Sequence, residues 1–457
     1  MTPSPADVVA KARAAFDTGR TRELVWRREN LAALKAMLVD NADAFLAAMA
    51  DDLAKPATEA WLTDVGFVVG EVAWLRKNLS RLMKPQRVPT PPTSRPGRSE
   101  IRPEPLGVVA VIAPWNYPLQ LALVPAAGAI AAGNAVVIKP SELAPATSQL
   151  LARLTPRYLD AETIAIVEGG VPETTALLAQ RFDHIFYTGS TRVGRVVMTA
   201  AAHHLTPVTL ELGGKSPAIV DASAKVAVAA RRIAWGKFLN AGQTCVAPDY
   251  VLVHESVAQE LIDQLRQSIT AFYGKDPATS ADYGRIVNDA HFDRLERLLS
   301  SGRAEIGGDC RAAERFIAPT VLVDVSPDAP VMQEEIFGPI LPILKVENLA
   351  EAVAFVNARP KPLALYVFAE DDDVADAVLN ETSAGGVTVN GSVLHVASPF
   401  LPFGGVGDSG MGAYHGRSTF DTFTHHKPVL RRSSRIDLPV AYPPFSKLKQ
   451  RVLRRLL

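Results

Sequence analysis

Cysteine is scarce in this chain. Cys245 and Cys310 are the two among 457 residues, too few for a disulfide framework or a four-cysteine zinc site. A reducing compartment, the cytoplasm, is expected. No charge of either sign is in excess: 48 Lys and Arg against 48 Asp and Glu leave a formal net charge of zero. That argues against a field drawing the whole chain to nucleic acid or acidic lipid. The residues from Met1 to Asp7 carry no basic region followed by an apolar core, so no secretory signal is expected and the sequons at Asn78, Asn380 and Asn390 carry no meaning. One long run, from Glu104 to Lys139, has no charge between its ends. Pro114, Pro118 and Pro125, with Asn116, Gln120 and Asn134, break it into pieces that read as buried strands and a covered helix instead of a membrane span.

What is present is the composition of a folded protein, 48% hydrophobic and 21% charged, with a length that predicts two or three domains. From about Ala6 to Leu82, apolar residues such as Leu24, Leu31, Leu34, Leu38 and Phe45 recur at helical spacing with charges between them. That predicts several amphipathic helices. Pro85 to Pro105 then holds seven prolines in 21 residues, which cannot be helix and predicts an extended arm or edge strand outside the core. Beyond the arm, β-branched runs at 108–112, 135–138, 163–167 and 184–187 alternate with helical stretches at 119–132, 145–154 and 174–180. Such alternation predicts a parallel α/β sheet. A second set runs from 216–220 through 224–240, 250–253, 256–273 and 319–325 to 363–368 and 386–390, and predicts a second α/β unit. At the end, Phe445, Leu448, Val452, Leu453, Leu456 and Leu457 fall at helical spacing among Lys and Arg. This predicts a basic amphipathic helix, with docking on the body or on a partner subunit favoured over membrane-surface contact.

Three motifs fail on context. Gly405-Val-Gly407-Asp-Ser-Gly410 matches a dinucleotide fingerprint but opens no helix of a βαβ unit. Gly214-Lys215-Ser216 ends like a P-loop whose first glycine would fall on Thr209, and His254-Glu255 begins a zinc-protease helix whose second histidine position is Ala258. No metal site is expected. A better cofactor signal is Phe186-Tyr-Thr-Gly189-Ser-Thr-Arg-Val-Gly194, a strand ending in a small-residue turn that opens a helix. Backbone amides there can face a pyrophosphate, although glycine junctions of purely structural origin look the same. Cys245 sits where a helix gives way to a glycine-containing loop, among Asn, Gly, Gln and Thr that suit a core thiol poorly. Glu211 lies between two leucines ahead of a double glycine, an unfavourable place for a solvated carboxylate. A thiol and a carboxylate meeting between two α/β units, one of them nucleotide-binding, suggest covalent catalysis on a carbonyl with hydride transfer.

Seven stretches in order then resemble one family. They are Pro114-Trp-Asn116-Tyr-Pro, Ile138-Lys139-Pro-Ser-Glu142, Thr188-Gly-Ser-Thr, Glu211-Leu-Gly-Gly-Lys, Gly242-Gln-Thr-Cys245, Glu335-Ile-Phe337-Gly-Pro and Pro402-Phe-Gly-Gly-Val-Gly. Over nearly the whole chain these resemble NAD(P)-dependent aldehyde dehydrogenases, and the ending Tyr414-His-Gly-Arg resembles the class 3 branch, which oxidises medium-chain, fatty and aromatic aldehydes. The resemblance implies an α/β fold of two parallel-sheet domains plus a small oligomerisation arm: residues 1–84 and 106–210 binding NAD(P), 211–418 catalytic, 85–105 and 419–457 the arm and tail. It implies Cys245 as nucleophile, Asn116 with the Cys245 N–H as oxyanion donors, and Glu211 as the base for hydrolytic water. Lys139 and Glu142 would take the adenosine ribose, Gly189, Ser190 and Val193 the pyrophosphate and adenine side, and Glu335 the nicotinamide ribose. Phe337 would pack beside the nicotinamide, with Trp115 and Gly213 also on the cofactor side. Glu142 favours NAD, because a carboxylate repels a 2′-phosphate, while NADP use stays open.

Phe67, Tyr117, Trp235, Thr244 and Phe403 are the candidates for the aldehyde tunnel, each also readable as core packing. The resemblance further implies a homodimer. A coenzyme A-acylating enzyme and a catalytically silent homologue are the alternatives. Glu211 argues against the first, and the retention of Cys245, Glu211, Asn116, Lys139 and Glu335 together against the second.

Overall fold

The computed structural model describes residues 4–437 and 439–456. Burial of the uncharged run organises its first half. The strand Val108–Ile112 and the helix Gln120–Ala132 are buried at every residue, so neither has a solvent face on which a charge could sit. Pro125 lies inside that helix and does not end it; packing on all sides outweighs the missing N–H. Among the described residues no helix is long and apolar enough to cross a membrane.

The first sheet has six strands, in the order Gly410–Met411, Val208–Glu211, His184–Thr188, Val108–Ile112, Ala135–Lys139, Ile164–Ile166. The last five run parallel, and Gly410–Met411 is antiparallel to Val208–Glu211. This edge strand and the helix Gly416–Thr422, which packs on Gln120–Ala132 and Gly66–Leu82, return to the first unit after the chain has built the second.

The second sheet has seven strands, in the order Arg303–Ile306, Thr320–Val323, Ile340–Val346, Tyr250–His254, Pro217–Val220, Ala364–Phe368, Gly386–Val389. Ile340–Val346 was not among the expected strands, and it lies inside the sheet although Pro342 lacks a ladder donor. The proline-rich arm is extended as expected, apart from one tight turn at Pro92–Ser94. Its strands Gln86–Val88 and Gly97–Pro105 join Thr424–Arg432 in a three-stranded antiparallel sheet, and no residue of Gly97–Pro105 is fully buried. Lys447–Leu456 is helical, with Phe445, Leu448 and Val452 exposed; Leu457, like Met1 to Pro3, lies outside the described residues.

This architecture gathers the candidate residues at one seam. Lys139 and Glu211 end parallel strands of the first sheet, and Asn116 and Gly189 follow just after two others, at the carboxyl edge where ligands bind in open α/β sheets. Cys245 and Glu335 come just before the strands Tyr250–His254 and Ile340–Val346 of the second sheet, at its amino edge.

Candidate active site

The loop that carries Cys245 is strained and pinned. After the helix Val226–Phe238 the chain passes through left-handed conformations at Asn240 (φ 52), Ala241 (φ 51) and Gly242 (φ 76). Only a glycine fits the last of these, since a Cβ on Gly242 would stand 2.2 Å from the Gly338 carbonyl. Such backbone persists only where its surroundings over-determine it. Here the Asn240 N–H donates to Glu59 Oε1 at 2.9 Å, Gln243 Nε2 donates to the carbonyls of Asn240 (3.0 Å) and Arg285 (2.9 Å), and the Val287 N–H donates to Gln243 Oε1 at 3.0 Å.

The Cys245 thiol is half-buried. Burial first, then the Glu335 and Glu211 carboxyls, push it up to about 12, while the backbone N–H groups of Cys245 and Val246 pull the other way. These two acids are the groups whose charge the thiol feels most. Both Glu211 oxygens are buried without a hydrogen-bond partner, and burial holds its carboxyl well above the carboxylate range. Glu335 Oε1 is likewise buried and without a partner. Burial and then Asp249 raise Glu335 to about 8, opposed by the Gly214 N–H, Lys215 and Arg294.

Asn116 is buried and donates Nδ2 to the Gln243 carbonyl at 3.0 Å, which commits one of its two amide hydrogens and leaves one for a ligand oxygen. The Tyr117 hydroxyl bonds Thr244 Oγ1 at 2.5 Å, so two of the tunnel candidates meet beside Cys245. Phe67 and Phe403 meet through His415, each ring centroid 5.4 Å from the histidine's. Trp235 remains 38% exposed on its helix.

The cofactor candidates fall along the same seam between the two sheets. Lys139 donates to the Pro140 carbonyl at 2.7 Å and to Glu142 Oε2 at 3.1 Å, and the Glu142 side chain is 45% exposed. Ser190 caps the helix Thr191–Ala202 by accepting from the Val193 N–H, which leaves the first amides of that turn for another acceptor. Gly213 packs its bare Cα against Glu335, where a Cβ would stand 2.0 Å from Oε2. Phe337 and Trp115 pack edge to face, centroids 5.5 Å apart. A dinucleotide fits this set: Glu335 Oε1 and the Thr188 hydroxyl are orphaned buried acceptors able to take ribose or amide donors, and the capped helix offers free N–H groups.

Sequence reasoning missed Lys55, Glu59, Asp64, Asn240 and Gln243. Lys55, Glu59 and Asp64 sit in the amphipathic N-terminal region, where a charge at helical spacing looks like a solvated face. Glu59 is raised to about 7, by burial first, against Lys55 and the Asn240 N–H.

These raised carboxyls set a pH dependence of stability. Glu59, Glu211 and Glu335 keep protons in the folded chain that the unfolded chain releases near 4.5, so stability falls as pH rises toward about 7 and about 8 for Glu59 and Glu335. The buried His184 and His415 and the half-buried His395, lowered by desolvation to about 4, 3 and 4, oppose this only below their ordinary 6.5. The thermal midpoint of the ligand-free chain therefore drops between pH 6.5 and 8, and Glu335→Gln flattens that slope by at most about 1.4 kcal/mol per pH unit. A midpoint that rises across this window in the unsubstituted chain contradicts the assignment.

Comparison with known proteins gives the family. The model of the aldehyde dehydrogenase family matches residues 5–429. Aldehyde dehydrogenase, dimeric NADP-preferring, of Mus musculus is 50% identical over 441 residues, spanning 96% of this chain and 97% of its own length. Aldehyde dehydrogenase family 3 member B1 of Homo sapiens is 50% identical over 449 residues, spanning 98% and 96%. The solved structure of Staphylococcus aureus AldH in its substrate-bound state superposes with a TM-score of 0.96 at 47% identity, covering 98% of each chain.

Proposed function

Because this chain belongs to the aldehyde dehydrogenase family, as a class 3 NAD(P)-dependent aldehyde dehydrogenase, we propose that it oxidises medium- to long-chain aliphatic or aromatic aldehydes to carboxylic acids through a Cys245 thioester. The observation that carries this reading is the thiol within reach of the Glu335 and Glu211 charges, with both Glu211 oxygens and Glu335 Oε1 buried without partners and Asn116 donating to the Gln243 carbonyl two residues before Cys245. A thiol held near 12 is protonated at neutral pH, so it needs a base, and Glu335 and Glu211 are the carboxyls that act on it most strongly. The thiolate adds to the aldehyde carbon. Asn116 Nδ2 and the Cys245 N–H hold the resulting oxyanion. When bound, the nicotinamide supplies the hydride acceptor. Glu211, once ionised, takes a proton from the water that hydrolyses the thioester; the carboxylic acid leaves and Cys245 is restored as the free thiol.

In this reading residues 1–84 and 106–210 hold the dinucleotide, with Lys139 and Glu142 on the adenosine ribose, Gly189, Ser190 and Val193 toward the pyrophosphate, Glu335 on the second ribose, and Trp115, Gly213 and Phe337 beside them. Phe67, Tyr117, Trp235, Thr244 and Phe403 form the tunnel. The three-stranded sheet outside both cores supplies the homodimer contact, and the basic tail helix docks on protein in preference to membrane. The cytoplasm keeps Cys245 reduced.

The test is formation of reduced nicotinamide from NAD and from NADP across straight-chain and aromatic aldehydes. Turnover is expected with both, NAD being favoured because Glu142 faces the ribose, and Phe67→Ala with Phe403→Ala shifts the ratio of aromatic to aliphatic rates. Turnover that appears only when coenzyme A is added replaces this reading with the acylating one, and none under any condition replaces it with a silent homologue.

A further inference from the structure

Lys55 follows Ala54, which turns left-handed (φ 49) where the helix Ala42–Leu53 ends, and precedes Pro56, the N-cap of the next helix, Ala57–Ala60. Its ammonium and the Asp64 carboxylate form an ion pair at 2.7 Å with both side chains fully buried. Such a pair is a poor source of stability, since well-packed apolar residues serve as well or better. What it contacts is more informative. The three ammonium N–H groups have three acceptors: Asp64 Oδ2, the Asn116 carbonyl at 3.2 Å, and the face of the Tyr117 ring, 3.9 Å from Nζ to the centroid. The Asn116 carbonyl also accepts from Asn240 Nδ2 at 2.9 Å, so two donors from different elements hold that peptide.

Asp64 extends the hold along the chain. Its Oδ1 accepts from the N–H groups of Leu119 and Gln120, both at 3.1 Å, where the helix Gln120–Ala132 begins. It sits in a π-helical turn, Trp61–Val65, of the kind that recurs at functional sites. One buried ion pair therefore fixes the segment from Asn116 to Gln120 at both ends. We propose that Lys55, supported by Asp64, is the positioning residue of the oxyanion site, holding the Asn116 amide and, through Tyr117 and Thr244, the flank of Cys245 in register. This rests on the thiol mechanism above.

A double-mutant cycle tests it. Lys55→Met with Asp64→Asn removes both charges and keeps an amide acceptor for Leu119 and Gln120. With Asn116 present, kcat should fall about 10- to 100-fold, the cost of slight misplacement at a reacting centre, while KM for the cofactor stays within about twofold. With Asn116→Ala already in place, the same pair should lower kcat by less than about threefold, because the amide it positions is gone. An equal factor in both backgrounds, or an unchanged kcat with Asn116 present, overturns the proposal. Should the pair of substitutions prevent folding, Lys55→Arg keeps the charge but presents a planar fork in place of three diverging donors. It should lower kcat about three- to tenfold only when Asn116 is present, and equal losses in both backgrounds again overturn the proposal. Asn116→Ala alone at full activity would instead remove the oxyanion reading and leave no amide for Lys55 to position.

Discussion

Cys245→Ala should abolish reduced-nicotinamide formation with every aldehyde, a loss of about 10⁴-fold or more, as expected when a covalent nucleophile is removed. The other cysteine cannot replace it: Cys310 lies on the two-stranded ribbon Cys310–Arg311 and Phe316–Ile317, with Gly308 as its hydrogen-bond partner. Removing the sulfur should leave NAD binding nearly intact, because the proposed cofactor residues reach the seam from other strands, and quenching of tryptophan fluorescence by NAD measures that directly. Loss of turnover with binding retained places the defect in chemistry. Residual turnover above a few per cent of the parent would mean that direct hydride loss from the hydrated aldehyde carries the flux.

Glu211→Gln should produce a different signature. Glutamine preserves shape in a buried site where both carboxyl oxygens lack partners, but it cannot accept a proton. Acylation should then run once and stop: a rapid burst of about one reduced nicotinamide per site, followed by steady turnover lower by about 10²- to 10⁴-fold, the usual worth of a general base. The pH profile should change too. Burial holds the Glu211 carboxyl well above its ordinary range, so in the parent the deacylation rate rises with pH as the group ionises, and in the variant that limb disappears. Slow turnover without a burst would assign Glu211 an earlier task, deprotonation of the Cys245 thiol.

Much of the fold was legible because its elements are uniform in environment. Strands buried on both faces read as unbroken β-branched runs, and the seven-proline arm could only be extended. Tertiary packing overruled local chemistry at Pro125 inside a helix and Pro342 inside a strand. Cys245 and Glu211 stood out because a thiol in a glycine-containing loop and an acid between two leucines suit a core badly, whereas Asn116 stood out only through the resemblance. Their convergence was legible only through resemblance, since Asn116 bonds a residue 127 positions away. Lys55 and Asp64 were invisible for the opposite reason: each looks like an ordinary charge on an amphipathic helix, yet both are wholly buried against the segment from Asn116 to Gln120.

The edge strand Gly410–Met411 and the helix Gly416–Thr422 also govern how the protein can be made. A ribosome delivers the other five strands of that sheet within the first half of synthesis, then must deliver the whole second unit before the closing pieces emerge. Throughout that interval the free edge of Val208–Glu211 and the apolar flank of Gln120–Ala132 wait uncovered, the kind of surface on which nascent chains associate wrongly. The order of translation thus runs against the order of assembly. Residues 410–422, late as they come, are a folding requirement of the first unit.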